Sequence, residues 1–220
     1  LFNTAQSSFM AGYLAAGMSQ TGKVATFGGL AIPSVTAFMD GYWEGVQYYN
    51  EQNGANVEVL GWDQNKPDAG SMAGGFEDQA KGQQLAKNFI QQGADIIFPV
   101  AGPVGLGAAK EAQSTGKAAI IWVDSDGYES APQYKDVFLS SVLKKIDVAV
   151  TDTIDATING EFSNEDYIGT LENDGTGLAP FHDFESQVPQ ELKDQLETIK
   201  AGIIDGSIEV TSPNQPQAAS

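Results

Sequence analysis

Residues 93–127, GADIIFPVAGPVGLGAAKEAQSTGKAAIIWVDSDG, hold a complete strand–helix–strand unit. Gly93 stops a preceding helix. Ile96 to Val100 is apolar without a break, as is Ala118 to Val123. Between them, Val104 to Ser114 reads as a helix closed by Gly116. Strands that are hydrophobic at nearly every position are buried on both faces. Joined by a helix of ten or more residues, they belong to a parallel sheet.

The same rhythm extends outward on both sides. Upstream, Val24 to Phe27 is a short strand running into Gly28-Gly29, and Val57 to Trp62 is a second. Ser34 to Glu51 carries Phe38, Tyr42, Val46 and Tyr49 at helical spacing, and Asp78 to Gln92 carries Leu85, Phe89 and Ile90. Thr4 to Met18 adds an opening helix. Downstream, Phe138 to Val142 and Tyr167 to Leu171 are expected strands. Ile146 to Ile158 and Pro189 to Ile204 are expected helices, the latter opened by Pro189. The Pro, Gln, Ala and Ser residues of 213–220 read as a disordered tail. The predicted fold class is α/β, an open parallel sheet flanked by helices.

Composition removes several function classes. The 220 residues carry a net charge of −18, and all eleven basic residues are lysine. Without the arginine fork and with this acidic balance, nucleic acid is not an expected partner, nor is an anionic lipid surface. Cysteine is absent, so there is no disulfide and no thiolate chemistry. No apolar run reaches the ~20 residues of a membrane span. The chain opens at Leu1 rather than methionine, which leads us to expect a segment removed ahead of it.

Ligands of open parallel sheets bind beyond the carboxyl ends of the strands. That rule selects the loops at 28–33, 63–76, 101–105 and 124–127. The glycines at 102, 105 and 107 are spaced GxxGxG, not the GxGxxG of a dinucleotide site, and read as a tight turn. Asp124-Ser125-Asp126-Gly127 ends a strand and is the sharpest feature. It fails as a calcium loop, because no glutamate completes the spacing. It approaches the strand-DxDG motif of magnesium-dependent, haloacid-dehalogenase-type phosphotransferases, with Asp124 as nucleophile and Asp126 as general acid. Tyr128 stands where Thr or Val is expected, and that motif normally lies near the start of a chain. As a ligand carboxylate, Asp124 suits the vicinal hydroxyls of a sugar. A structural turn remains the fourth reading. His182 is the single histidine; with no Ser or Cys motif beside it, it reads as a surface or hinge-loop residue.

Read in order, the loops resemble the basic membrane protein family, which includes purine nucleoside receptor lipoproteins. The matching residues are Gly22-Lys23-Val24 leading to Gly28-Gly29 and Ile32-Pro33, then Phe76 through Lys81-Gly82, and Gly93-Ala94-Asp95-Ile96-Ile97-Phe98. Val123-Asp124-Ser125-Asp126, the run Ser141 to Val150, and Gly177-Leu178-Ala179-Pro180 complete the series. The resemblance runs from the opening helix to about Ile208.

It implies a two-lobed, type I periplasmic-binding-protein architecture with most of the first lobe lying outside this chain. Residues 1–135 would be second lobe, 136–165 a crossover belonging to the first lobe, and 166–212 the return. The implied protein is the extracytoplasmic, non-catalytic receptor of an ABC importer, without a cofactor. Its partners would be a nucleoside, purine by resemblance, and a transporter permease. A lipid anchor outside this chain would hold it at the membrane. Carried over by residue, Phe76 stacks on the base and Asp124 accepts from ribose hydroxyls, with Asp126 as second choice. Lys144 donates to the ribose or holds the closed form, and Gly102 lets the backbone approach the ligand.

Overall fold

The apolar runs become the interior strands of one six-stranded sheet, ordered β2-β1-β3-β4-β5-β6, in a computed structural model that describes residues 1–216. The strands are β1 (Lys23–Gly28), β2 (Glu58–Leu60), β3 (Ile96–Val100), β4 (Ala119–Asp124), β5 (Phe138–Lys144) and β6 (Thr176–Leu178). The helices are α1 (Thr4–Met18), α2 (Pro33–Asn53), α3 (Gln79–Gln91), α4 (Gly105–Thr115), α5 (Gly127–Ser130), α6 (Ile146–Ile158) and α7 (Gln190–Asp205). β1 to β5 are parallel, and β6 closes one edge antiparallel to β5.

Strand alternation supplies two cores. Val24, Ile96, Phe98, Ile121, Val123, Leu139 and Val142 face α1, α2 and α7. Ala25, Phe27, Ile97, Ile120, Trp122 and Phe138 face the alanine-rich surface of α3 and α4. That second layer packs closely because α3 and α4 meet through Gly82 and Gly107, each set against a backbone carbonyl of the other segment.

Pro99 stands in the central strand, where a missing N–H is normally disfavoured. The Val100 carbonyl accepts from Gly29 at 2.9 Å on the β1 side, so by alternation the Pro99 nitrogen faces β4. The β3–β4 ladder ends at Ile97↔Ile120, two residues before it. The sheet is therefore unzipped between β3 and β4 toward its carboxyl edge.

Three expectations are corrected. Residues 138–144 do not leave the sheet: Phe138, Leu139 and Val142 are buried, and β5 pairs with β4 as far as Asp124↔Leu143. Its apolar side chains find burial within the sheet that a crossing segment would not give them. Tyr167 to Leu171 makes only one bridge, Phe2↔Gly169, and the return strand is Thr176–Leu178 instead. Within the expected disordered tail, Asn214 and Gln215 are bonded, Asn214 Nδ2 to Asp40 and Gln215 Oε1 to Asn3 Nδ2, each at 2.8 Å. Residues 217–220 lie outside the described residues.

Those bonds belong to a strap over α2. Asp40 accepts from Trp62 Nε1 at 3.0 Å and from Ser212 Oγ at 2.6 Å. One turn later, Glu44 accepts from Thr211 N at 2.8 Å and from its hydroxyl at 3.1 Å. Burial pushes the Glu44 carboxyl above its ordinary pKa, against the lowering effect of the Thr211 and Gln64 bonds. A carboxyl raised in the folded state contributes full stability below its unfolded pKa. That contribution is lost as pH rises through the folded value. E44Q stays neutral and still offers an acceptor to Thr211 N and a donor to its hydroxyl. It is expected to be the more stable protein at pH 7, with the advantage vanishing as pH falls toward about 4. Urea titrations of both proteins between pH 4 and 8 check this. A variant less stable than wild type at pH 7 would show that the ionised form is the better strap anchor.

Candidate functional site

β1 leads through α2 to β2 on one side, and β2 leads back through α3 to β3 on the other, so the chain reverses direction in the sheet between β1 and β3. Parallel sheets open a crevice at such a point. Here it is a shallow depression of about 170 Å³, lined by Ile32, Val35 and Phe38 at the start of α2, Phe76, Gly102 beyond β3, Asp124 ending β4, and Lys144 ending β5. Four of the five expected site residues, Phe76, Gly102, Asp124 and Lys144, thus come together at the carboxyl edge.

Phe76 is half-buried. Its ring lies on the Gly29 backbone, leaving no room for a side chain there. The glycine of the β1 turn is thus a seat for the aromatic ring. Gly102 has φ +52°, and a Cβ added there would meet open space. Backbone conformation, rather than crowding, favours glycine at that corner.

Asp124 is exposed and sits at φ +68°, a left-handed conformation that Asp tolerates better than most residues. Its carboxylate pairs with Lys144 Nζ at 2.9 Å, and that ammonium lies 5.0 Å from the centre of the Phe38 ring. An ion pair this open to water is worth about 0–1 kcal/mol. Its two ends are therefore available to a ligand at little cost. Together they present an acceptor and a donor side by side.

Asp126 is the exception. Its Oδ1 accepts from Tyr128 N at 3.0 Å, and its Oδ2 lies 2.7 Å from His182 Nε2. As the cap of α5 it is turned from the depression toward the β6–α7 connection, which corrects its placement as a second ribose acceptor. Asp124 and Asp126 therefore have different partners, Lys144 and His182. Among the described residues no three His, Cys, Asp or Glu side chains group as a metal site.

Sequence reasoning gave no residue of the 29–38 segment a ligand-binding role, although it selected the loop at its start. Phe38, Val35 and Ile32 line the depression, with Ile32 exposed at its rim. The signal was present in an apolar residue beside Pro33 on a loop placed at the ligand edge. A hollow of about 520 Å³ adjoins the site, sharing Ser34 and Lys144 with it and lined also by Leu1, Phe2 and Pro216. A cavity of about 430 Å³ beside α7 is remote from this edge, and two of its lysines, Lys145 and Lys193, are already paired with Asp174 and Glu185.

Comparison with known proteins agrees with the fold. Residues 1–212 match the family model described as Bmp, ABC transporter substrate-binding protein PnrA-like. A Lactococcus lactis relative named ABC transporter nucleoside-binding protein BmpA is 28% identical over 94% of this chain and 58% of its own length. Basic membrane protein D of Borreliella burgdorferi is 35% identical over 66% of this chain and 38% of its own. Among solved structures, a solute-binding protein of an Aeropyrum pernix ABC transporter system superposes with a TM-score of 0.78 at 26% identity. The match covers 97% of this chain and 66% of that one. The chain thus spans less than two thirds of the length of each of these relatives. It belongs to the Bmp family of PnrA-like ABC transporter substrate-binding proteins.

Proposed function

We propose that the protein is the non-catalytic, extracytoplasmic receptor of an ABC importer and that its ligand is a nucleoside. The observation that carries the reading is the joining, at one sheet switch point, of an aromatic ring with an adjacent carboxylate and ammonium. Phe76 offers a face to any flat base, worth ~1–3 kcal/mol. Asp124 accepts from ribose hydroxyls, Lys144 donates to a ribose oxygen, and the open corner at Gly102 admits the ligand to the backbone. A transporter permease is the proposed protein partner, with a lipid anchor outside these residues holding the receptor at the membrane. The name of the Lactococcus relative supports the ligand class.

The remainder of the receptor is the first lobe, which closes over this site. Two features support that reading. No residue of α6 is buried, and Ile146, Val150, Ile154, Ile158 and Phe162 form an exposed apolar stripe at four-residue spacing. Residues 1–3, 167–169 and 211–215 also run together. Asn3 N donates to the Gly169 carbonyl at 2.8 Å, and Asn3 Nδ2 donates to Gln215. These segments border the hollow beside the depression and are the proposed joints between lobes.

The test is calorimetry on the longer protein that contains this chain, with guanosine, adenosine, inosine and the free bases. D124A is expected to weaken nucleoside binding about tenfold or more, the worth of a hydrogen bond to a charged group, and to leave free-base binding unchanged. A wild-type protein that binds no nucleoside would defeat the reading, as would magnesium-dependent phosphatase activity lost in D124N.

A further inference from the structure

Asp124 holds a backbone conformation that persists in a non-glycine residue when its surroundings over-determine it. Most of the restraint is local. Ser125 N donates to the Val123 carbonyl at 2.8 Å, and Gly127 N donates to the buried Ser141 hydroxyl at 3.0 Å. Gly127 itself lies flat on Trp122, where an added Cβ would come within 2.8 Å of the indole side chain.

The remaining restraint comes from 56 residues away. Asp126 Oδ2 meets His182 Nε2 at 2.7 Å, both side chains being 22% exposed. The His182 ring stacks on Tyr128 with centroids 4.1 Å apart and planes 11° from parallel. The Tyr128 hydroxyl donates to Asp183 at 3.2 Å. His182 is itself at φ +45°, so two left-handed residues, Asp124 and His182, stand on the two sides of one clamp. The clamp joins the loop after β4 to the connection after β6, bracketing β5, whose last residue is Lys144.

We infer that His182 is a positioning residue: through Asp126 and Tyr128 it fixes the turn that aims the Asp124 carboxylate at the ligand. This rests on the nucleoside-receptor reading. The Asp126 carboxylate is satisfied twice, by Tyr128 N and by His182, and so contributes to binding through the position of Asp124, two residues earlier, not by touching ligand. A positioning role of this kind acts on one part of the ligand. It sharpens recognition of the ribose hydroxyls and leaves stacking of the base on Phe76 untouched.

The experiment uses the longer protein containing this chain, titrated with a purine ribonucleoside and its 2′,3′-dideoxy counterpart. Wild type is expected to prefer the ribonucleoside. H182L keeps bulk but removes the nitrogen, and is expected to bind the ribonucleoside about tenfold more weakly with dideoxynucleoside affinity unchanged. H182Q, whose amide reaches to the Nε2 position, is expected to recover most of the loss. Equal weakening of both ligands, or of neither, overturns the clamp. Should H182L not fold, Y128F keeps the stacked ring and loses only the bond to Asp183. A ribonucleoside-selective loss of about threefold then supports the inference, and an unselective one overturns it. Wild type that binds neither nucleoside overturns the functional reading instead, so the two failures are distinct.

Discussion

Replacing Gly45 with leucine is expected to destabilise the fold by about 3 kcal/mol or more, at or beyond the upper end of overpacking costs. In an ordinary helix interior the same change would stabilise, because glycine is about 1 kcal/mol worse than alanine and leucine is close to alanine. The sign reverses here because α1 and α2 cross with their backbones nearly touching. A Cβ at Gly45 would enter the Phe9 carbonyl, one at Gly41 the Ala5 carbonyl, and one at Gly12 the Tyr42 carbonyl. Gly41 and Gly45 are four residues apart on α2, as are Ala5 and Phe9 on α1, so the contact follows one i, i+4 ridge on each helix. The obstacle is main chain, which cannot rotate aside as a side chain would. α1 also covers the sheet face carrying Leu139 and Val142, so displacing it exposes one whole core. Denaturant titration of wild type, G45A and G45L checks this, with G45A expected between the other two. A leucine variant within about 0.5 kcal/mol of wild type would mean that the helices separate freely.

That close crossing was not legible in the sequence, although both helices were. The opening helix was expected from Thr4 to Met18, and those are its limits. Amphipathic spacing reports which face is buried but not how near the neighbour comes. Gly41 and Gly45 read as weak helix formers until a partner backbone is opposite. The parallel strands were readable because doubly buried strands leave few polar positions, as in IIFPV and IIWV. The residues 138–144 were assigned away from the sheet by resemblance, although Phe138 to Val142 already read as a strand. The site divides along similar lines. Phe76, Asp124 and Lys144 come from a loop and two separate strand ends and converge because all three lie at one edge of the sheet. Asp126 was misplaced because side chains two apart at a strand end diverge once a helix begins. Its capping of α5 became visible only with Tyr128 N in view. The value of His182 depended on a partner 56 residues away, which no local pattern reports.

The 220 residues alone are expected to bind nucleosides about a thousandfold more weakly than a two-lobed protein that contains them, a difference of ~4 kcal/mol. Ligand pockets that enclose a molecule of this size occupy ~300–1,000 Å³ and remove most of its surface from water. The depression here is about 170 Å³ and opens to solvent along the sheet edge, with Asp124 and Ile32 exposed beside it. A base laid on Phe76 keeps its other face wet. A ribose at Asp124 and Lys144 competes with water for both groups, and in high dielectric each such bond contributes little. Closure by the first lobe would change all three terms together: it would cover the second face of the base, dry the ion pair and order the ligand once. α6 gives the same comparison an internal control. Its exposed stripe at Ile146, Val150, Ile154 and Ile158 is expected to be protected from hydrogen exchange in the longer protein and to exchange rapidly in the isolated chain. Calorimetry with guanosine, adenosine and inosine on both proteins measures the difference directly. Submicromolar binding by the 220 residues alone would show that the depression at Phe76, Gly102, Asp124 and Lys144 is a whole site and not half of one.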